Sequence, residues 1–357
     1  MGLFRFLFAL SIVIAHSTQV LPYNIGNSEI AVLSFFVISG FYMALILDKK
    51  YVGKNNSYFL FITNRFLRIY PIYWVMLLVV VFFALVKFFS HIGTPDNAII
   101  HYFSNADATL KNNFLLQTIN FIIRNVTLIL SADYFFNFSK TSGYLIIQQA
   151  WTLQVEFLFY LLAPFILRVK RLWFYVFLIL YIIIFYGIIS SYHLFPFFSL
   201  TYTFFPFFIY FCLGCVSYDI LTVIKKYRFS KFLLLTIFIF FIVYIFAYQF
   251  LPHLSLPFPH MTDVLYFFIF TLVLPFIFLL TKQNYLDRFI GELSYPVYID
   301  HIFVIKTLDN IRLSRNSSFM MLVICFSLLL AYALVKYIDN PIDIIRQKRL
   351  KKRFLFH

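Results

Sequence analysis

The stretch Arg5-Phe-Leu-Phe-Ala-Leu-Ser-Ile-Val-Ile-Ala-His16 carries two ionisable side chains on an otherwise apolar run. Read as a helix, eleven steps of roughly 100° return a side chain to almost the same face, and at about 1.5 Å per residue Arg5 and His16 lie about 16 Å apart along the axis. They share one face at two depths. The run continues from Leu3 to Leu21, long enough to cross hydrocarbon, where each charged group costs about 2.5 kcal/mol or more. That cost places both side chains toward a protein-lined cavity and away from lipid.

The rest of the chain is built in the same way. Its 357 residues are 62% hydrophobic and 12% charged, with a mean hydropathy of +0.88, too little polar surface for a soluble globule. The expected fold is all-α, a polytopic integral membrane bundle of about ten transmembrane helices. The 52 phenylalanines read as lipid-facing bulk. Apolar runs able to cross about 30 Å of hydrocarbon fall near 3–21, 30–47, 69–89, 148–167, 172–190, 200–218, 231–250, 263–281, 291–308 and 318–338.

Lys and Arg stay on the cytoplasmic side of short loops, and this tests the count. With both termini cytoplasmic, the inner segments hold twenty cations, among them Lys49, Lys50, Arg65, Arg68, Lys225, Lys226 and the tail from Arg346 to Arg353. The outer segments hold five, Lys111, Arg124, Lys140, Arg312 and Arg315. The alternation supports ten spans, arranged as one transmembrane domain over 1–345 followed by a basic cytoplasmic tail, 346–357.

The net charge of +15 then belongs to topology and to anionic membrane lipids, and no continuous basic reading face points to nucleic acid. The first span lacks a small-residue cleavage site and is expected to stay as a membrane helix. The long segment 91–147 holds a second apolar stretch, Phe114 to Ala132, broken by Gln117, Asn120, Arg124 and Asn125. It reads as an interfacial or re-entrant helix, taken as a cap over the outer mouth. Cys212 and Cys215 lie inside the sixth span, where small-residue helix packing explains them better than metal or redox chemistry. No phosphate loop or metal-ligand cluster appears, so the chemistry falls to polar residues within the spans.

Those residues occur in ordered words. Arg5 to His16-Ser17, Leu33-Ser-Phe-Phe-Val-Ile-Ser39-Gly40-Phe41, Asn64-Arg65-Phe-Leu-Arg68-Ile-Tyr70-Pro71, Trp151-Thr-Leu-Gln-Val-Glu156-Phe-Leu-Phe-Tyr160, Leu293-Ser294-Tyr295-Pro-Val-Tyr298-Ile-Asp-His301 and Tyr337-Ile-Asp339-Asn-Pro341 resemble successive signatures of the membrane-bound acyltransferase-3 family. The resemblance runs from residue 5 to 341. Thr152 stands where Ser is usual, Asp300 precedes the second His, and Asp339 replaces a usual Glu.

The resemblance implies transfer of an acyl group, usually acetyl, from cytoplasmic acyl-CoA to a carbohydrate hydroxyl across the bacterial cytoplasmic (inner) membrane. The acceptor would be a surface polysaccharide such as lipopolysaccharide O-antigen, or a lipid-linked glycan. It also implies a stand-alone form without an esterase-like domain. Acetyl-CoA would enter as donor substrate, with no permanently bound cofactor and no metal.

The residue types agree with that chemistry. A neutral His in a span can take the acceptor proton or hold the acyl group, which suits His16. Arg5 at the inner mouth suits CoA phosphates or a polar pore, and Arg65 and Arg68, three residues apart on one face, can add to it. The alternative for the latter pair is snorkelling to head groups. Glu156, inside a span, reads as a catalytic partner of His16 or an acceptor ligand, or else a structural ion pair. His301, Ser39 and Trp151 are candidate acceptor or pore-lining residues. The alternatives are a core histidine for His301, close helix packing for Ser39-Gly40, and packing or interface anchoring for Trp151 and Tyr160. Two other functions fit the composition: acylation of an inward-facing small molecule or glycan precursor, and polysaccharide export. A flippase has no need of a same-face Arg and His on the first span.

Overall fold

A computed structural model describes residues 1–17, 28–51, 57–90, 114–128, 145–184, 204–248, 261–311 and 313–354, and among these no strand occurs. In hydrocarbon every backbone N–H and C=O needs an internal partner, and a helix supplies it within one segment. The helices are α1 (Gly2–Ser17), α2 (Ser28–Lys49), α3 (Ser57–Ser90), α4 (Phe114–Thr127), α5 (Trp151–Ile166) and α6 (Arg171–Ile182). They continue with α7 (Phe204–Ile224), α8 (Lys231–Tyr248), α9 (Met261–Thr281), α10 (Tyr285–Asp309), α11 (Ser317–Leu334) and α12 (Asn340–Phe354).

Each expected span overlaps one of these helices over the residues described. Among the described residues six stretches, Ser28–Lys49, Ser57–Lys87, Phe207–Ile224, Lys231–Tyr248, Thr262–Thr281 and Ser317–Leu350, are long and apolar enough to cross a membrane, and α1 and α6 are shorter apolar helices. The fold is an all-α, polytopic membrane bundle.

Two boundaries depart from the hydropathy reading. Helix α3 begins at Ser57, not near 69, so Arg65 and Arg68 lie within it. The apolar residues Phe59 to Ile62 carry the helix through the basic pair, and Pro71 does not end it. At 34 residues it is about 51 Å long, well beyond the roughly 30 Å hydrocarbon layer, which leaves room for the arginines at its amino end. At the other end of the chain, α11 passes through a π turn, Val335–Asp339, into α12. The expected tail is therefore helical through Phe354.

Of the segment 91–147, α4 with Leu128 and residues 145–147 are described. The last carbonyls of α4 have no intrahelical partner. Those of Thr127, Asn125 and Val126 accept hydrogen bonds from Tyr70 Oη, Tyr73 Oη and Trp74 Nε1, the last at 2.9 Å. Leu128 then turns left-handed at φ 60°, and Asn125 Oδ1 accepts from the Ile146 amide at 2.8 Å. Tyr70 is twenty residues, about 30 Å, from the Ser90 end of α3. The carboxyl end of α4 thus lies beside the middle of α3. The histidines at 91, 101, 193, 253 and 260 lie outside the described residues.

The chain divides into two compact units, 1–58 with 210–341 and 59–209 with 342–357. In the first, α1 packs against α10, α2 and α11, and α9 against α8 and α2. Its core includes Ala9, Val13, Val297, Val304 and Val323. Glycines set the closest crossings. A Cβ on Gly291 would lie 2.6 Å from Gly2 Cα, and one on Gly40 would lie 2.0 Å from the Phe211 carbonyl oxygen. Cys212 and Cys215 are buried free thiols at the second crossing, where Cys215 Sγ donates to the Gly40 carbonyl at 3.6 Å.

Candidate active site

Helix α1 ends at Ser17 and so carries His16 in its last turn. Helix α10 carries His301 at its buried face. The two rings approach to 5.3 Å between centroids at 59°. His16 Nδ1 donates to the Ile12 carbonyl at 2.9 Å and His301 Nδ1 to the Tyr298 carbonyl at 2.8 Å. A carbonyl only accepts, so Nδ1 carries the proton in both rings, and when a ring is neutral its lone pair lies on Nε2. The exposure differs sharply, since His16 is exposed while His301 is 0% exposed. His301 Nε2 has no hydrogen-bond partner. One accessible acceptor nitrogen thus lies in front of a second, buried one, an arrangement suited to removing a proton from an incoming hydroxyl.

Beside His301, Asp300 is fully buried and neither carboxyl oxygen is hydrogen-bonded. Ser327 of α11, also fully buried, lies close to the carboxyl without reaching hydrogen-bond geometry. Adjacent helical positions point about 100° apart, which accounts for Asp300 not pairing with its neighbour. Buried polar groups without partners are uncommon and concentrate where function needs them.

The other end of α1 is anchored by Asp287. Asp287, four residues before the apolar stretch of α10, accepts from the Gly2 amide at 2.8 Å and the Leu3 amide at 2.9 Å. The Met1 ammonium, 1% exposed, pairs with the same carboxylate at 2.8 Å and donates to Thr281 Oγ1. Burial alone would raise the Asp287 carboxyl, but the ammonium and the two amides outweigh it and hold the group below its ordinary 3.8. Burial also lowers the Met1 ammonium, against the pull of Asp287. Arg5 sits one turn in, half-buried, with its helix confirmed through to His16.

The remaining candidates fall in both units. Ser39 is buried beside the Gly40 crossing, also in the first unit. Glu156, Trp151, Arg65 and Arg68 belong to the second unit. There Glu156 Oε1 accepts from Tyr160 one turn along α5, and Trp151 opens α5 with its ring 5.3 Å from Phe207. Arg65 and Arg68 are half-buried on α3. The structure therefore brings His16 to His301. His301 is fully buried beside His16. Sequence reasoning missed Asp287 and Ser327. Asp300 was visible as a departure from the family's usual residue, whereas an aspartate near a helix start and a serine in an apolar run give no sign of their distant partners.

No curated protein and no solved structure matches the chain. A family model described as an acyltransferase domain matches residues 1–336, a range that contains both histidines, Arg5, Glu156, Arg65 and Arg68. With that match over nearly the whole length and the His16–His301 pair in place, the chain is an acyltransferase and belongs to the acyltransferase-3 family.

Proposed function

We propose that the protein is a multi-pass enzyme of the bacterial cytoplasmic membrane. It transfers an acyl group, acetyl by preference, from cytoplasmic acyl-CoA to a hydroxyl of a cell-surface polysaccharide such as lipopolysaccharide O-antigen. The observation that carries this reading is the exposed His16 ring, fixed through Nδ1 with Nε2 available, on the helix that also bears Arg5. As the acceptor oxygen attacks the thioester carbonyl, Nε2 takes the hydroxyl proton. The C–S bond breaks, and the CoA thiolate leaves and recovers the proton. His301 behind the ring limits its rotation and provides a second nitrogen for the developing charge. Arg5, about 16 Å along the helix, holds donor phosphate at the inner end while the acyl group reaches His16.

Ten spans with both termini cytoplasmic fit this route. The tail and the start of α3, both assigned inside by charge, are joined by Arg349 hydrogen bonds to Thr63 and Asn64, which supports a shared side. The test is mass spectrometry of surface glycans from a deletion strain. An acyl increment should disappear, return with the parent gene, and fail to return with His16→Ala at normal membrane abundance. Unchanged glycans on deletion, or full restoration by His16→Ala, would overturn the reading.

A further inference from the structure

The basic end of α3 and helix α12 meet within the second unit. Arg349 donates through Nη1 to Asn64 Oδ1 at 3.3 Å and through Nη2 to Thr63 Oγ1 at 3.0 Å. Both acceptors are neutral, so they orient the guanidinium without cancelling its charge. One turn away on α12, Arg346 Nη2 is held by Asp343 Oδ1 at 2.6 Å, and Gln347 holds the other oxygen of that carboxylate. On α3, Arg68 follows Asn64 by four residues and shares its face. Arg65 adjoins Asn64 in the chain, and its Nε is buried without a hydrogen-bond partner.

Charge makes this grouping unusual. Helix α3 contains no Asp or Glu, and α12 contains only Asp343 among six Lys and Arg. Arg65, Arg68, Arg346 and Arg349 are each half-buried, so their attraction for an anion is screened less than at a fully exposed surface. Planar forks of this kind match phosphate oxygens bidentately, and several can share one polyanion. Arginines that merely snorkel extend toward head groups. Arg349 instead folds back onto Thr63 and Asn64, which preorganises it over α3.

We infer that α12 completes a phosphate-binding site in which Arg346 and Arg349 join Arg65 and Arg68 in holding the diphosphate of the acyl-CoA donor. This rests on the donor assignment under Proposed function and extends it to a helix beyond residue 336, where the family match ends. Acyl-CoA specificity then depends on residues outside the matched domain.

The test is calorimetric titration of free CoA into the full chain in phosphatidylcholine nanodiscs, with pantetheine as the phosphate-free control. Arg349→Ala and Arg346→Ala should each weaken CoA binding at least tenfold, with Arg349→Lys intermediate and pantetheine binding unchanged. Asn64→Ala with Thr63→Val, which releases Arg349 while leaving every cation in place, should weaken CoA severalfold, so a folding defect in the arginine variants does not decide the matter. CoA binding within twofold of the parent in correctly folded variants overturns the site. So does the same result accompanied by loss of phosphatidylglycerol binding, which makes the cluster a lipid anchor. A parent that binds no CoA, in a strain whose glycan acylation still depends on the gene, overturns the site and the CoA donor while leaving acyl transfer standing.

Discussion

The two ends of the α1–α10 pair obey opposite rules. At the amino end of α1, Asp287 answers the Met1 ammonium and the amides of Gly2 and Leu3, and the glycines at 2 and 291 let the backbones touch. At the carboxyl end of α1, His301 Nε2, both Asp300 oxygens and Ser327 Oγ are buried with no hydrogen bond. One end spends its polar groups on holding the helices together, and the other keeps them uncommitted beside an exposed imidazole. A satisfied end is a fixed point about which the other is positioned. An unsatisfied one carries a desolvation cost that a catalytic role at His16 would account for.

The contrast can be broken most severely at the glycine contact. Gly291→Val places a side chain where 2.6 Å separates the new Cβ from Gly2 Cα, and backbone cannot yield as a side-chain tip does. Loss of most folded protein is expected, read as membrane abundance and as a collapsed elution profile in detergent. Normal abundance with a normal melting temperature would show that the ends are not rigidly linked.

Asp287→Ala should have a smaller effect, because it leaves two amides and an ammonium without their acceptor. Each partly buried donor so stranded costs on the order of 1–3 kcal/mol, seen as a lower melting temperature. Sign follows from the depressed carboxyl: its stabilisation is present above the unfolded value near 3.8 and lost as pH falls through the lower folded value. The parent should therefore lose melting temperature below about pH 4, and Asp287→Ala should lack that component.

The smallest change in stability is expected from Asp300→Asn, since no hydrogen bond is there to be broken. Its melting temperature should stay equal or rise within about 1 kcal/mol of stabilisation, while acyl transfer per folded molecule falls. A large destabilisation would show that Asp300 is committed to a partner and would erase the difference between the two ends.

Much of this bundle was legible because hydrocarbon allows so few backbone solutions. Each expected stretch overlaps a helix over its described residues, and Arg5 and His16 lie on one helix. Hydropathy failed where apolar character and charge mix. Phe59 to Ile62 extend α3 through Arg65 and Arg68, and Tyr70, Tyr73 and Trp74 donate to the last carbonyls of α4. Local sequence carries no trace of such bonds. His16 and His301 were each visible from family-like words, but their contact is a property of how α1 lies on α10, and residues 285 positions apart encode it only through the packing between them.

That separation has a consequence for assembly. The Gly2 amide finds its acceptor 285 residues later in the chain, whereas Tyr70 meets α4 after only 57. At about 5–20 residues per second, the α3–α4 contact can form within roughly 3–12 s of translation, while α1 waits roughly 15–60 s for Asp287. The first helix made is thus among the last to be completed, and until then Arg5 and His16 reside in the bilayer or the insertion machinery without the neighbours that will shelter them.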